Sequence, residues 1–192
     1  MSKQNVDFIF KDYIQDIDLC LEIIDMFNAS SHKEIGLIVK YGNVICDPNF
    51  KDSVDLDKWE PKILARYIAS LQSIVDKYIA KFPYCNQGSP WRVLCPPNIQ
   101  FYQPKAGYKE WHTERNGCAE PSVSRHLVFM TYLNDVTDGG ETEFYHQNMK
   151  IKPKTGLTVI WPSDWTHYHR GVPSPTQEKY IVTGWFNYVD LA

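Results

Sequence analysis

The sequence predicts an α+β fold in which helices of the first ninety residues pack on one face of a closed or sandwiched antiparallel β structure. Three observations carry this. Apolar residues recur every three or four positions before Pro90 and alternate after it. Turn residues punctuate the second half at Pro96-Pro97, Asp138-Gly139-Gly140 and Lys154-Thr155-Gly156. No helical pattern separates the β segments, which argues against a parallel α/β sheet.

Taken in order, Ile14, Ile17, Leu21, Ile24 and Phe27 lie at helical spacing, with Asp12 and Gln15 placed like an N-terminal capping box. Residues Ile35 to Val39 then read as a short strand, and Asp47, Asp52, Asp55 and Asp57 as a solvated loop without the glycine and terminal Glu of an EF-hand. A second helix starts near Pro61 and carries Leu64, Tyr67, Ile68, Leu71, Val75, Tyr78 and Ile79 to Phe82, where Pro83 ends it. The predicted strands are Trp91–Leu94, Ile99–Gln103, Ser124–Leu133, Glu141–Tyr145, Lys150–Ile151, Leu157–Trp161 and Lys179–Val189. No linker or repeat divides the chain, so residues 1–192 are expected to form one domain, 1–90 as mainly helical support and 91–192 as the β core.

Composition narrows the function. Twenty Lys and Arg against 23 Asp and Glu give a net charge of −3, so no global basic field points to nucleic acid or an anionic membrane. Five cysteines without a C-x-x-C pair suggest neither a disulfide framework nor a Cys-rich zinc site, and fit a reducing compartment. With neither a leader-like start nor a membrane-length apolar run, the expected location is cytoplasmic. Neither H-E-x-x-H nor G-x-S-x-G occurs, which leaves little ground for a hydrolase. Histidine is the uneven count: of six, His112, His126, His146, His167 and His169 all fall after residue 97.

His112-Thr113-Glu114 places two potential metal ligands at i and i+2, on one side of an extended backbone. The pattern alone is uninformative, since six histidines and 23 acidic residues in 192 predict about 0.7 chance matches, and His32-Lys33-Glu34 is another. Context separates them: His112 enters the β-rich half, where a distant His would complete a 2-His-1-carboxylate iron site. Both His167 and His169 are candidates. His126 reads as packed, His146 as a surface residue, and Arg125 and Arg170 as residues that touch substrate or pair with carboxylates.

Here the residues resemble a known family. His169-Arg170-Gly171-Val172-Pro173 followed by Lys179 resembles the distal half of the iron(II), 2-oxoglutarate-dependent dioxygenase motif of prolyl 4-hydroxylase-type enzymes. Tyr102-Gln103-Pro104-Lys105-Ala106-Gly107-Tyr108, Tyr132-Leu133-Asn134-Asp135 and Gly139-Gly140-Glu141-Thr142-Glu143-Phe144 are similar to further family segments. Glu114 departs from the aspartate most such hydroxylases carry, yet is still a hard oxygen ligand, and its presence argues against the halogenating branch.

The resemblance implies a double-stranded β-helix core, jelly-roll or cupin-like, with the N-terminal helices on one sheet. It implies His112, Glu114 and His169 as both metal ligands and catalytic centre, with Fe(II), 2-oxoglutarate and O2 as cofactors and cosubstrates and ascorbate as a further one to test. Lys179 and Tyr132 are then expected to hold the far carboxylate of 2-oxoglutarate, with Tyr102, Thr183 and Trp185 near cosubstrate and metal. Alternation puts Lys179, Ile181, Thr183, Trp185 and Asn187 on one strand face. The implied reaction hydroxylates a C–H bond, most simply of peptidyl proline, and releases succinate and CO2. The implied partner is thus a proline-containing peptide or protein. Oxygenation of free amino acids or other small molecules, and a silent metal-binding β-barrel, are the alternatives. The segment Glu114 to Arg125, with Asn116, Gly117 and Pro121, is expected to act as a substrate lid.

Overall fold

The computed structural model describes residues 6–40, 43–117 and 119–190. Expectations about the first five residues and the Cys118 thiol fall outside them. The order is β1 (Phe10–Tyr13), α1 (Asp18–Ala29), β2 (Glu34–Ile35), β3 (Ile38–Lys40), β4 (Asn43–Ile45), β5 (Val54–Leu56) and α2 (Pro61–Lys81). The β-rich half follows as β6 (Trp91–Val93), β7 (Asn98–Tyr102), β8 (Arg125–Tyr132), β9 (Thr142–Phe144), β10 (Met149–Ile151), β11 (Leu157–Pro162), β12 (His169–Gly171) and β13 (Lys179–Tyr188).

Every strand pairing is antiparallel. The main sheet runs β1-β11-β8-β13-β7-β5-β2, with β6 also on β13; a small sheet runs β10-β9-β12. This is the double-stranded β-helix arrangement, with both helices on one face of the main sheet. Alternation along β8 and β13 divides the interior. Leu127, Phe129, Tyr180, Val182 and Phe186 pack against the helices, whereas Val128, Met130, Tyr132 and Ile181 join Phe144 and Trp161 on the other face.

Helix α2 forms where its sequence permits. Pro61 occupies the first turn, Lys81 the last, and Ile63, Tyr67, Leu71, Ile74, Val75 and Tyr78 make the buried stripe. A buried hydroxyl chain fastens it to the sheet: Tyr67 Oη lies 2.9 Å from Thr131 Oγ1, itself 2.7 Å from Thr158 Oγ1. Gly184 faces these helices. A Cβ there would lie 2.3 Å from Phe129 Cζ, and Phe129 is fully buried. Gly184→Ala is therefore expected to destabilise the fold by about 1–3 kcal/mol, an overpacking cost visible as a lower melting temperature. An unchanged melting temperature would show that Phe129 yields without strain.

All seven strands expected after Pro90 are present, but the first half differs from expectation. Helix α1 begins at Asp18, and its buried residues are Leu19, Cys20, Ile23 and Phe27; Ile17 and Leu21 are exposed. No capping box forms, because Asp12 lies in β1 and pairs with Lys77 at 2.6 Å, while Ile17 caps α1 without a side-chain bond. Pairing of Phe10–Tyr13 with Leu157–Ile160 overrides the local helical pattern. The expected Ile35–Val39 strand is split into β2 and β3, since Gly36 N donates to Ser53 O and a Cβ at Gly36 would meet Ser53 Oγ at 2.1 Å. Asp55 is not in a solvated loop: it sits in β5 and accepts from Lys51, Ser53 and Asn98. Strands β1, β2 and β5 thus tie the N-terminal half into the main sheet. Among the described residues, no helix is long and apolar enough to cross a membrane.

Candidate active site

His112 and His169 lie opposite each other in a β-bridge, each backbone N–H donating to the other's carbonyl at 2.9 Å. Their side chains therefore emerge on one side, and extended backbone brings Glu114 to the same side two residues on. Glu114 Oε1 lies 3.6 Å from His112 Nε2 and 3.4 Å from His169 Nε2. Among the described residues this is the one cluster of three metal-ligating side chains, its donor atoms all within 4.8 Å of one another.

The tautomers follow from the backbone. His112 Nδ1 lies 3.0 Å from Glu110 O and His169 Nδ1 2.9 Å from His167 O. A carbonyl only accepts, so each Nδ1 carries the proton and each Nε2 presents a lone pair to the cluster. Burial, then His169 nearby, pushes the His112 pKa down, which favours that neutral form. Burial alone would raise the Glu114 carboxyl, but the two adjacent histidines hold it well below the usual carboxylate range. Two neutral imidazoles and one carboxylate suit a divalent ion. Adjacent ligands about 2.1 Å from an octahedral ion stand roughly 3 Å apart, so the separations here need only small adjustments. The donor set matches the facial triad of iron(II) oxygenases.

Packing fixes the rings. His112 stacks on Tyr108 with centroids 3.6 Å apart, and His169 packs edge-on to Trp161 at 5.1 Å. The cluster opens into a cleft of about 900 Å³ whose walls include Tyr102, Arg125, Lys179, Ile181, Thr183 and Trp185. Lys179 is buried. Its Nζ donates to Gly140 O at 3.1 Å and lies 4.9 Å from the Tyr102 ring centroid, and it forms no ion pair among the described residues. An ammonium carries three donors, so this one retains capacity for an anion. Burial pushes its pKa down to about 8, opposed by Glu141. These features fit the far carboxylate of a dicarboxylic acid.

The other expected residues divide. Tyr102, Thr183 and Trp185 line the cleft. The Tyr102 hydroxyl donates to Gln100 Oε1 at 2.7 Å, Thr183 Oγ1 to Phe129 O at 3.3 Å, and Trp185 Nε1 to Glu114 Oε2 at 3.0 Å. Tyr132 stands behind the wall rather than in it. Its fully buried hydroxyl is engaged by Thr142 Oγ1 at 2.6 Å and Ile151 O at 3.1 Å, and it is Thr142 that reaches the cleft.

His167 is excluded as a third donor, since its Nε2 is 2.8 Å from Asp7 O. His126 is packed against Trp91, bonded to Cys85 O and the Tyr188 hydroxyl, and His146 is exposed. Arg170 pairs with Glu143 at 2.7 Å while lining the cleft. Asn116, Gly117, Pro121 and Ser122 also line it, as do Ile35, Leu37 and Val39 from the first half of the chain. Sequence reasoning gave no role to Tyr108, although it closes the quoted Tyr102–Tyr108 segment. It also missed Ile35, Leu37 and Val39, which lie about seventy residues before His112 and had no local signal.

Comparison with known proteins accords with this geometry. A viral relative from Acanthamoeba polyphaga mimivirus, named "Putative prolyl 4-hydroxylase", is 33% identical over 103 residues. The match spans 44% of this chain and 41% of that protein's length. The viral collagen prolyl hydroxylase of Paramecium Bursaria Chlorella virus-1, solved with 2-oxoglutarate, superposes with a TM-score of 0.66 at 19% identity, covering 95% of this chain and 97% of that one. A Pseudomonas putida prolyl-4-hydroxylase gives 0.70 at 16% identity, covering 94% and 92%. A Trichoplax adhaerens prolyl hydroxylase, solved with a hypoxia inducible factor peptide fragment, gives 0.73 at 17%, covering 96% and 85%. At these identities the structures establish the shared fold. The family model of the 2OG-Fe(II) oxygenase superfamily matches residues 97–187. That span, slightly under half of the chain, holds His112, Glu114, His169 and Lys179.

Proposed function

We propose that the protein is an iron(II)- and 2-oxoglutarate-dependent dioxygenase that hydroxylates a peptidyl proline, with succinate and CO2 as coproducts. The observation that carries this reading is the pairing, in one cleft, of the His112–Glu114–His169 cluster with the buried ammonium of Lys179, which has no ion pair among the described residues. Bound iron and 2-oxoglutarate supply the oxidising chemistry. The chain supplies position: His112, Glu114 and His169 hold the metal, Lys179 fixes the far carboxylate with Tyr102 and Thr183 alongside, and burial keeps bulk water from the reacting atoms.

A peptide substrate is supported by the size of the cleft and by apolar side chains at its rim, Ile35, Leu37 and Val39, which remain exposed. Names among the similar proteins point the same way. The segment Glu114 to Arg125, whose Asn116, Gly117 and Pro121 line the cleft, takes the role of a lid over bound peptide. The same reading treats residues 1–192 as one domain, 1–90 supporting the β core of 91–192, and places it in the cytoplasm, where its free Cys20, Cys46, Cys85 and Cys95 stay reduced.

The test is succinate release in the presence of Fe(II), 2-oxoglutarate, O2 and ascorbate across proline-containing peptides, free amino acids and oligonucleotides. The expected result is succinate stimulated by a proline-containing peptide that gains one oxygen atom. Stimulation by free amino acids alone would overturn the peptidyl assignment. No succinate with any substrate, with or without metal uptake, would favour a silent module.

A further inference from the structure

The two carboxylate oxygens of Glu114 have different partners. Oε1 faces His112 Nε2 and His169 Nε2, while Oε2 accepts the Trp185 indole N–H at 3.0 Å and lies 3.5 Å from Arg125 Nη1. The same Nη1 donates to the Glu114 backbone carbonyl at 2.6 Å, and the Arg125 guanidinium lies 3.8 Å above the Trp185 ring. Arg125 and Trp185 thus hold both ends of the residue. Arg125 Nε is buried without a hydrogen-bond partner among the described residues, so the placement of this side chain does not maximise its own hydrogen bonding.

Local backbone structure creates this placement. Pairing of β8 with β13 slips between Phe186 and Asn187, so that Arg125 and Leu127, rather than adjacent residues, face those two. Past this bulge it is Arg125, not His126, that turns into the cleft, while His126 packs toward Trp91 and Cys85. The geometry also answers a problem of chain length. Glutamate has one more rotatable bond than aspartate, and fixing it costs more side-chain entropy. A hydrogen bond from an indole to a charged oxygen offsets that cost and competes with any swing of Oε2 toward the metal.

We propose that Trp185 and Arg125 are positioning residues that act on the metal through Glu114, occupying its outer oxygen so that Oε1 alone is presented to the ion. This rests on the reading of His112, Glu114 and His169 as metal ligands. The test is a double-mutant cycle read as cobalt(II) affinity by calorimetry on the full chain, with Trp185→Phe, Glu114→Ala and the pair. Arg125→Met is carried in parallel to keep the cycle informative if Trp185→Phe fails to melt cooperatively without metal.

Removing an outer-shell partner is expected to weaken cobalt(II) binding about tenfold. In the Glu114→Ala background the same change is expected to cost less than about twofold, because the group it acts through is gone. A loss above about threefold that falls below about twofold without Glu114 supports the proposal; any other pattern overturns it. Unaltered chain that takes up no cobalt(II), or whose uptake survives His169→Ala, would instead overturn the metal-site reading itself.

Discussion

His169→Ala is expected to abolish turnover and to weaken divalent-metal binding by more than about 10²-fold, a larger loss than outer-shell partners produce. The reasoning starts from the β-bridge. His112 and His169 are held opposite each other by two backbone hydrogen bonds, and their Nδ1 atoms are tied to the carbonyls of Glu110 and His167. Two other histidines of the β-rich half are already committed elsewhere: His167 is bonded to Asp7 O, and His126 is engaged at both nitrogens by Cys85 O and the Tyr188 hydroxyl. His112→Ala is expected to match it. By contrast, His167→Ala and His146→Ala are expected to retain stoichiometric metal. Metal titration of each variant, with circular dichroism to verify folding, checks the order. Retention of metal by His169→Ala and its loss in His167→Ala would reverse the assignment.

The second large effect belongs to Lys179. Its ammonium is buried, donates to Gly140 O and lies over Tyr102, with no carboxylate bonded to it among the described residues. Lys179→Met keeps much of the aliphatic volume and removes the charge. A hydrogen bond to a charged group contributes about 1.5–3 kcal/mol, so the KM for 2-oxoglutarate is expected to rise by roughly 10–150-fold.

Acidity gives a second handle. Burial pushes the Lys179 pKa down to about 8, from an ordinary value near 10.5. The folded, ligand-free protein therefore releases this proton before the unfolded chain does. Above pH 8 the cation that binds a dicarboxylate is progressively lost, and KM is expected to rise up to about tenfold per pH unit, flattening once bound anion holds the proton. The effect on stability has the opposite sign: the cost of burying the charge is present below pH 8 and is relieved as pH rises from 8 toward 10.5. Lys179→Met should show neither trend. A pH-independent KM in the unaltered chain would show that Lys179 keeps its proton through this range.

What was legible in the sequence depended on where the physical signal resided. The seven strands expected after Pro90 alternate, and alternation survives folding because one face of the main sheet meets helices and the other the cleft. That pattern also placed Lys179, Ile181, Thr183 and Trp185 on the cleft side. Strands β1 and β5 had no such signal: at four and three residues, they exist through pairing with β11 and β7. The His112–His169 bridge joins residues far apart in sequence, so composition showed only a crowding of histidines, and order within a family pattern was needed to select two.

Tyr132 lies on the strand face that alternation assigns it, and the contacts of its hydroxyl had no local signal. Thr142 and the Ile151 carbonyl, from β9 and β10, reach its hydroxyl first. Arg125 and His126 exchange the faces that strict alternation assigns them, because a register slip leaves no trace in a hydrophobic pattern.

The account's central claim is that the His112–Glu114–His169 cluster and Lys179 form one site for iron and 2-oxoglutarate. Its most direct measurement is anaerobic absorption spectroscopy of the purified chain titrated with Fe(II) and 2-oxoglutarate. A visible charge-transfer band is predicted only when both are present, one iron per chain, absent in His169→Ala and requiring more 2-oxoglutarate in Lys179→Met. No band at saturating iron and 2-oxoglutarate, or an equal band in His169→Ala, would contradict it.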